Sequence, residues 1–257
     1  MAAKAPAIRE MLTRLRIPRD GVLLVHSSFA RFSREGYDLD EVLETLVDWM
    51  SQGTLLMPSM SWRFVKKDRP FFDEKETPSN TGVLAETFRK RFSTRRSLHP
   101  THSVSGRGPL AERILATHHR CVTPCSAESP FGRLVEAGGH VLMFGEGFDC
   151  CTLLHHCEEI AAPDVYCKPE SETETYTCRD AAGQEVQVRL RRHLFLPRDY
   201  WQFQDQLAAR GELAVHACDS SMCRGFEAAR LAKIALDALK ANPRAMLAVP
   251  GQRYRLM

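Results

Sequence analysis

The stretch "CTLLHHCEE" (residues 151–159) sets two histidines and two glutamates close together, directly after "VLMFGEGFD". Three readings compete for it. A metal centre needs donors that converge, but His155 and His156 are neighbours and point about 100° apart on a helix. The zinc-protease spacing, histidines four apart with a glutamate after the first, is absent, as is any C-x-x-C pair. No metal is therefore expected, and a metal-dependent hydrolase using His155, His156 and Glu158 or Glu159 stands as the competing enzyme reading. An acid–base centre needs an imidazole and a carboxylate that fixes its tautomer, and His155 with Glu158 one turn on has that spacing. The plain alternative is a helix with an apolar stripe of Leu153, Leu154, Cys157, Ile160 and Ala161, its histidines and glutamates in solvent. Location favours the acid–base reading. "HVLMFG" reads as a buried strand, so His155 lies about one turn inside a helix at the strand's carboxyl end, where open α/β sheets place ligands. His155 and Glu158 are the expected catalytic pair, with a carboxylate from elsewhere in the chain as the alternative partner.

Two further loops carry hydroxyls, imidazoles and small residues at the ends of regular elements: "VHSS" (25–28) and "HPTHSVSG" (99–106). Such segments present N–H groups and hydroxyls to an anionic or amide-rich ligand, though each taken singly is also an ordinary turn. Asp149 reads as a helix cap, and Cys150 and Cys151 as packing cysteines. No G-x-G-x-x-G, P-loop or G-x-S-x-G occurs, which removes the usual grounds for a Rossmann cofactor, nucleotide hydrolysis or a serine hydrolase.

The elements that must position these residues follow from hydrophobic period and turn signals. Residues 5–16 are helical in period and stop at Pro18 and Asp20-Gly21. "GVLLVHSS" and "GTLLMPSM" are short buried strands on either side of the amphipathic "LDEVLETLVDWM", a parallel βαβ unit. Residues 62–80 are polar and proline-containing, a long functional loop. Helices follow over 81–92 and 109–118 with "LHPTHSVSGRG" as the loop between them, and Ser129 caps a helix with Pro130 at its first position. From about residue 172 the pattern alternates around a glycine turn, an antiparallel hairpin. A helix over 199–210, the strand-like "ELAVHAC" and a long helix over 225–240 close the chain. The expected fold is mixed α/β (α+β): a parallel-strand core sandwiched by helices, with an antiparallel hairpin added, in one domain spanning 1–257.

Composition sets outer bounds. At 257 residues, 44% hydrophobic and 26% charged, the chain can bury a sizeable core. A net charge of +3 does not point to nucleic acid, and the clusters "KRF" and "RLRRH" read as solvated faces. No apolar run approaches the roughly 20 residues of a membrane span, and the first residues lack the apolar centre of a signal peptide. A cytoplasmic protein is expected, away from membranes, its nine cysteines mostly reduced thiols.

Taken in order, "LLVHSSFARFS…GTLLMPSMSW", "NTGVLAETFRK…RRSLHPTHSVSGRGPLAERI" and "SPFGRLVEAGGHVLMFGEGFDCCTLLHHCEE" resemble the aminoglycoside 3-N-acetyltransferase family, with its antibiotic N-acetyltransferase fold. The resemblance covers roughly residues 8–165 and continues in "SSMCRGFEAARLAKIALDAL". It implies transfer of acetyl from acetyl-CoA, as co-substrate, to a primary amine of an aminocyclitol or amino sugar, on a fold distinct from the GNAT acetyltransferases. It implies His155 as the general base. It places Ser27, Ser28 and Phe29, the loop with His99, His102, Ser103 and Val104, and Ser129 and Thr152 at the acetyl-CoA site. The chemistry agrees: an ammonium must lose a proton, and the developing oxyanion needs donors such as the N–H groups around Ser27–Phe29 or Ser103–Val104. Neither a metal nor a covalent enzyme intermediate is required. A homo-oligomer is left open, and a non-catalytic CoA-binding protein of the same fold is the competing reading outside enzymology.

The sequence departs from the family in two places. Cys151 stands where the family commonly has Asn, while "LHHCE" keeps Glu158. Where many relatives carry Asp and Glu to hold a polycationic drug, this chain reads "VRLRRHLFL". Acidic candidates remain at Glu170, Glu172, Glu174, Asp199 and Asp205. Strand alternation would put Arg189 and Arg191 on one face and Arg192 on the other, with His193 following. At least one arginine is then expected at the acceptor pocket, suiting an acceptor with carboxylate or phosphate; arginines facing solvent are the alternative.

Overall fold

In the computed structural model, which describes residues 4–249, the ends of the expected 1–257 unit lie outside the described residues. The chain runs α1 (Ala5–Arg14), β1 (Val22–Ser27), α2 (Phe29–Arg34), α3 (Leu39–Trp49), β2 (Thr54–Pro58), β3 (Phe71–Asp73), α4 (Val83–Arg91), β4 (Arg95–Arg96) and β5 (Val104–Arg107). It continues through α5 (Ala111–Leu115), α6 (Pro130–Glu136), β6 (His140–Phe144), α7 (Leu153–Ala161) and α8 (Pro163–Tyr166). The remaining elements are β7 (Glu174–Arg179), β8 (Glu185–Leu190), α9 (Trp201–Ala209), β9 (Ala214–Cys218), β10 (Ser221–Glu227) and α10 (Ala228–Ala241).

Seven strands form one sheet in the order β4-β5-β2-β1-β6-β10-β9. Only its centre is parallel: β1 pairs with β2 (Leu23↔Leu55) and with β6 (Leu24↔Val141). Burial on both faces explains why these strands are unbroken apolar runs. Leu23 and Val25 of β1 pack with Met11 of α1, Leu46 of α3 and Phe88 of α4. Val22 and Leu24 join the core with Leu115, Phe131, Leu154, Phe203 and Leu231, from α5, α6, α7, α9 and α10. Helices therefore sandwich the sheet. Local signals start them where expected: Asp38 accepts from the Asp40 and Glu41 N–H groups at 3.0 Å, and Ser129 caps α6 with Pro130 first.

The hairpin β7–β8 forms with Glu174 opposite Leu190, and β3 joins β7 in parallel over a small core of Phe72, Tyr176 and Val188. Four sequence expectations need correction. Residues 62–80 are not all loop, because β3 gains its hydrogen bonds from β7. "LHPTHSVSGRG" contains β5, whose small polar residues become a strand by pairing with β2. The last helix starts at Ala228 rather than 225, because "SMCRGFE" is drawn between β6 and β9 as β10. Finally, β8 stops at Leu190, so strand alternation does not orient Arg191, Arg192 and His193.

Arg96 ties the 62–80 segment to the sheet edge. Its buried guanidinium donates to Ser103 Oγ (3.0 Å) and to the carbonyls of Ser59 (2.8 Å), Glu74 (3.2 Å) and Thr77 (2.6 Å). Among the described residues, no helix is long and apolar enough to cross a membrane.

Candidate active site

The site is built where β6 ends. Gly145 has φ +66°, and a side chain there would meet the Phe32 ring at 2.6 Å, a ring stacked on Phe144 at 3.9 Å. The backbone turns off the sheet at this point, passes a 3₁₀ turn (Phe148–Cys150) and enters α7. Leu153, Leu154 and Cys157 bury one side of α7 in the same core as Leu231 and Ile234 of α10. The outer stripe inverts expectation: Ile160 is 45% exposed, whereas Glu158 and Glu159 are buried. Carboxylates enter an interior only with donors to receive them. Each glutamate has its own set.

Glu158 holds His155. Its Oε2 lies 2.8 Å from His155 Nδ1, while Oε1 accepts from Arg198 Nε and from the Tyr200 hydroxyl, both at 2.8 Å. Tyr200 Oη also lies 2.9 Å from His155 Nδ1. Burial pushes the Glu158 carboxyl up, but the His155 imidazole and the Arg198 guanidinium outweigh it and hold the pKa at about 2. An ionised carboxylate accepts from Nδ1–H, which leaves the Nε2 lone pair for the cavity that His155 lines. This is the orientation a general base requires.

Glu159 faces the other way. Both its oxygens accept from the Cys125 N–H at 2.8 Å, and Oε1 lies 2.6 Å from His193 Nε2. The His193 ring stacks on His155 at 4.4 Å, and His102 meets His193 edge-on at 5.3 Å. Burial raises the Glu159 carboxyl to about 7, and burial beside His155 keeps His193 well below the usual imidazole value. Because the unfolded carboxyl ionises near 4.5, the folded state holds the extra proton between about pH 4.5 and 7, and Glu159 costs stability as pH rises through that window. Buried histidines such as His26 act in the opposite direction, so the comparison must be with Glu159→Gln. Relative to wild type, that variant is expected to gain about 3 kcal/mol between pH 4.5 and 7.5 in denaturant unfolding. A difference independent of pH would contradict the assignment.

The donors named for a hydrolase do not converge. His156 turns inward, its Nδ1 2.7 Å from the Cys125 carbonyl, and Glu158 is committed to His155, Arg198 and Tyr200. Among the described residues, the metal-type donors that do approach one another are Cys125, Glu159 and His193, within 4.8 Å.

The cavity beside His155 has a volume of about 1090 Å³ and reaches Ser27, Ser28 and Phe29 on β1 and α2, with His102 and Thr152 also in its wall. The structure brings these five together with His155. It does not bring His99, Ser103, Val104 or Ser129, whose side chains are fully buried and committed inside. His99 stacks on His118 at 4.2 Å and accepts from the Thr101 and His102 N–H groups. Ser103 receives Arg96, Val104 packs in the core, and Ser129 is occupied as a cap. Asp149 makes no cap hydrogen bond and lines the cavity with Cys150, which is exposed, and Cys151, which is fully buried and packs in the core as expected. Of the four basic residues in "VRLRRHLFL", Arg192 and His193 reach the cavity, which Arg198 lines as well. Arg189 is exposed on β8, and Arg191 is buried, its guanidinium 2.6 Å from Asp164. Arg198 and Tyr200 were missed altogether. Nothing in "LPRDYW" signals that it meets a helix some 40 residues earlier.

An α/β sheet with a cavity at the carboxyl ends of its parallel strands, and an imidazole held there by a buried carboxylate, defines a protein equipped for acid–base chemistry on a bound small molecule. The chain belongs to the aminoglycoside 3-N-acetyltransferase family, whose model matches residues 24–240. It is 37% identical over 163 residues to aminoglycoside N(3)-acetyltransferase IV of Salmonella sp, a match that spans 62% of this chain but 59% of that enzyme, less than two thirds of its length. Among solved structures it is similar to a histidine-to-alanine variant of the aminoglycoside acetyltransferase AAC(3)-IVa in complex with a gentamicin (TM-score 0.80, 26% identity, 97% of this chain and 93% of that one). It also shares its fold with AAC-IIIb in a binary complex with CoASH (TM-score 0.75, 22% identity, 98% and 99% covered).

Proposed function

We propose that the chain transfers an acetyl group from acetyl-CoA directly to a primary amine of an aminoglycoside or related amino sugar, with His155 as general base. The observation that carries this reading is the His155–Glu158 pair with Tyr200 and Arg198 behind it, set in a cavity large enough for two substrates to meet. Family membership and the CoASH complex of a protein of the same fold support acetyl-CoA as the donor.

An acceptor arriving as ammonium has no lone pair, and His155 Nε2 takes its proton. Nε2 releases that proton to solvent, and the neutral amine attacks the thioester carbonyl: a C–N bond forms, the C–S bond breaks, and the proton that the nitrogen then sheds moves to the freed Nε2 and on to the departing thiolate. Ser27, Ser28 and Phe29 line the same cavity, where the two serine hydroxyls and the Phe29 N–H serve the carbonyl oxygen; the Ser28 N–H is already donated to the Phe144 carbonyl at 3.0 Å. Glu158 fixes the tautomer and balances the imidazolium as it forms. The reaction needs no metal.

Release of CoA thiol from acetyl-CoA in the presence of a panel of amines tests the reading. Amine-dependent turnover that survives a chelator is the expected result. Stoichiometric CoA binding with no turnover on any amine would replace it with the binding-protein reading.

A further inference from the structure

A second cleft opens beside the His155 cavity and shares Trp62, Arg192 and Phe195 with it. Its volume is about 870 Å³, ample for a sugar ring with a charged substituent. Cations outnumber carboxylates in its wall: Arg63, Lys66, Lys67, Lys168 and Arg192 face Asp68 and Glu174. Glu174 is already occupied, accepting from Lys168 Nζ at 3.0 Å and from the Tyr176 hydroxyl, with Arg192 at 3.9 Å. Arg63 lies over the Trp62 ring at 5.2 Å, and neither it nor Lys66 or Lys67 has a carboxylate within 4.0 Å among the described residues. At the junction Phe195 is 92% exposed. Such a wall repels a polycation and attracts an anion, and its aromatic faces suit the apolar side of a sugar.

We infer that the acceptor is an amino compound bearing a phosphate, its amine at His155 and its phosphate in this cleft between Arg192 and the Lys66–Lys67 turn. The inference rests on the acetyl-transfer reading and narrows its acceptor. Arg192 fits the role because it borders both spaces, so one ligand can span them. CoA is the other source of phosphate in the reaction. In the proposed arrangement it approaches from the Ser27–Phe29 wall, on the side where Arg34 lies.

The experiment is the thiol-release assay with one amine in matched forms, glucosamine and glucosamine 6-phosphate, alongside gentamicin, on wild type, Arg192→Ala and Lys66→Glu/Lys67→Glu. The double variant alters an exposed turn, so it keeps the test valid if removal of Arg192 disturbs the Glu174 cluster. Wild type is expected to favour the phosphorylated amine in kcat/KM by about tenfold or more, the scale of one charge-assisted contact. Both variants should erase that preference through KM, with CoA affinity by titration unchanged. Equal or better use of glucosamine or gentamicin would overturn the inference and leave acetyl transfer standing. A preference that survives both variants would overturn the placement in this cleft. Weakened CoA binding in the double variant would assign the patch to CoA instead. Turnover with no amine would remove the transferase reading itself, and this inference with it.

Discussion

His155→Ala is expected to lower kcat for acetyl transfer by about two orders of magnitude or more, the usual scale for loss of a positioned base. The affinity for CoA should stay nearly intact, because the imidazole acts on the amine. The expectation follows from the geometry: Nδ1 is held at 2.8 Å by a buried carboxylate, so Nε2 is the nitrogen left to accept a proton in the cavity. His156→Ala is the control. That ring is bonded at 2.7 Å to the Cys125 carbonyl inside the protein, so its removal should lower stability and leave kcat within a few-fold of wild type. The reverse pattern, with His156 essential and His155 dispensable, would contradict the orientation of α7.

Glu158→Ala is expected to lower stability by about 3–5 kcal/mol, because it breaks a buried ion pair from one side. The Arg198 guanidinium, only 12% exposed, would keep its bonds to the Leu194 and Leu196 carbonyls but lose its counter-charge. Tyr200 would lose its acceptor as well. Glu158→Gln keeps the volume and isolates the charge. Because the folded carboxyl titrates near 2 and the unfolded one near 4.5, the charge contributes stability that is fully present above about pH 4.5 and is lost as pH falls through about 2. Denaturant unfolding of wild type and Glu158→Gln should therefore differ strongly at pH 7 and converge toward pH 2. A constant gap would show that the carboxylate is not held ionised by its neighbours.

The helices and the central strands were legible because their cause is local. An apolar run such as "GVLLVHSS" can only be buried on both faces, and Ser129 before Pro130 carries its own start signal. The strands that were misread, β3, β5 and β10, owe their form to partners. "SMCRGFE" is a strand because β6 and β9 lie on either side of it. The site divides along the same line. His155 and Glu158 are three residues apart on one helix, so their pairing could be read from spacing. Arg198 and Tyr200 enter from a distant segment, and burial of both glutamates depends on donors from that segment and from the Cys125 loop. The resemblance in the 99–104 loop placed whole motifs near the site, but only the fold decides which side chains face outward. His102 does; His99, Ser103 and Val104 do not.

The role of His155 is tested most directly by the pH dependence of acetyl transfer in wild type and His155→Ala, at saturating acetyl-CoA with one amine. As pH approaches the amine's own pKa, more acceptor arrives unprotonated and the missing base matters less. The variant's rate should therefore climb steadily with pH and narrow a gap of about a hundredfold at neutrality. A variant that matches wild type at neutral pH, or one whose deficit stays constant at every pH, would contradict the assignment of His155 as the base.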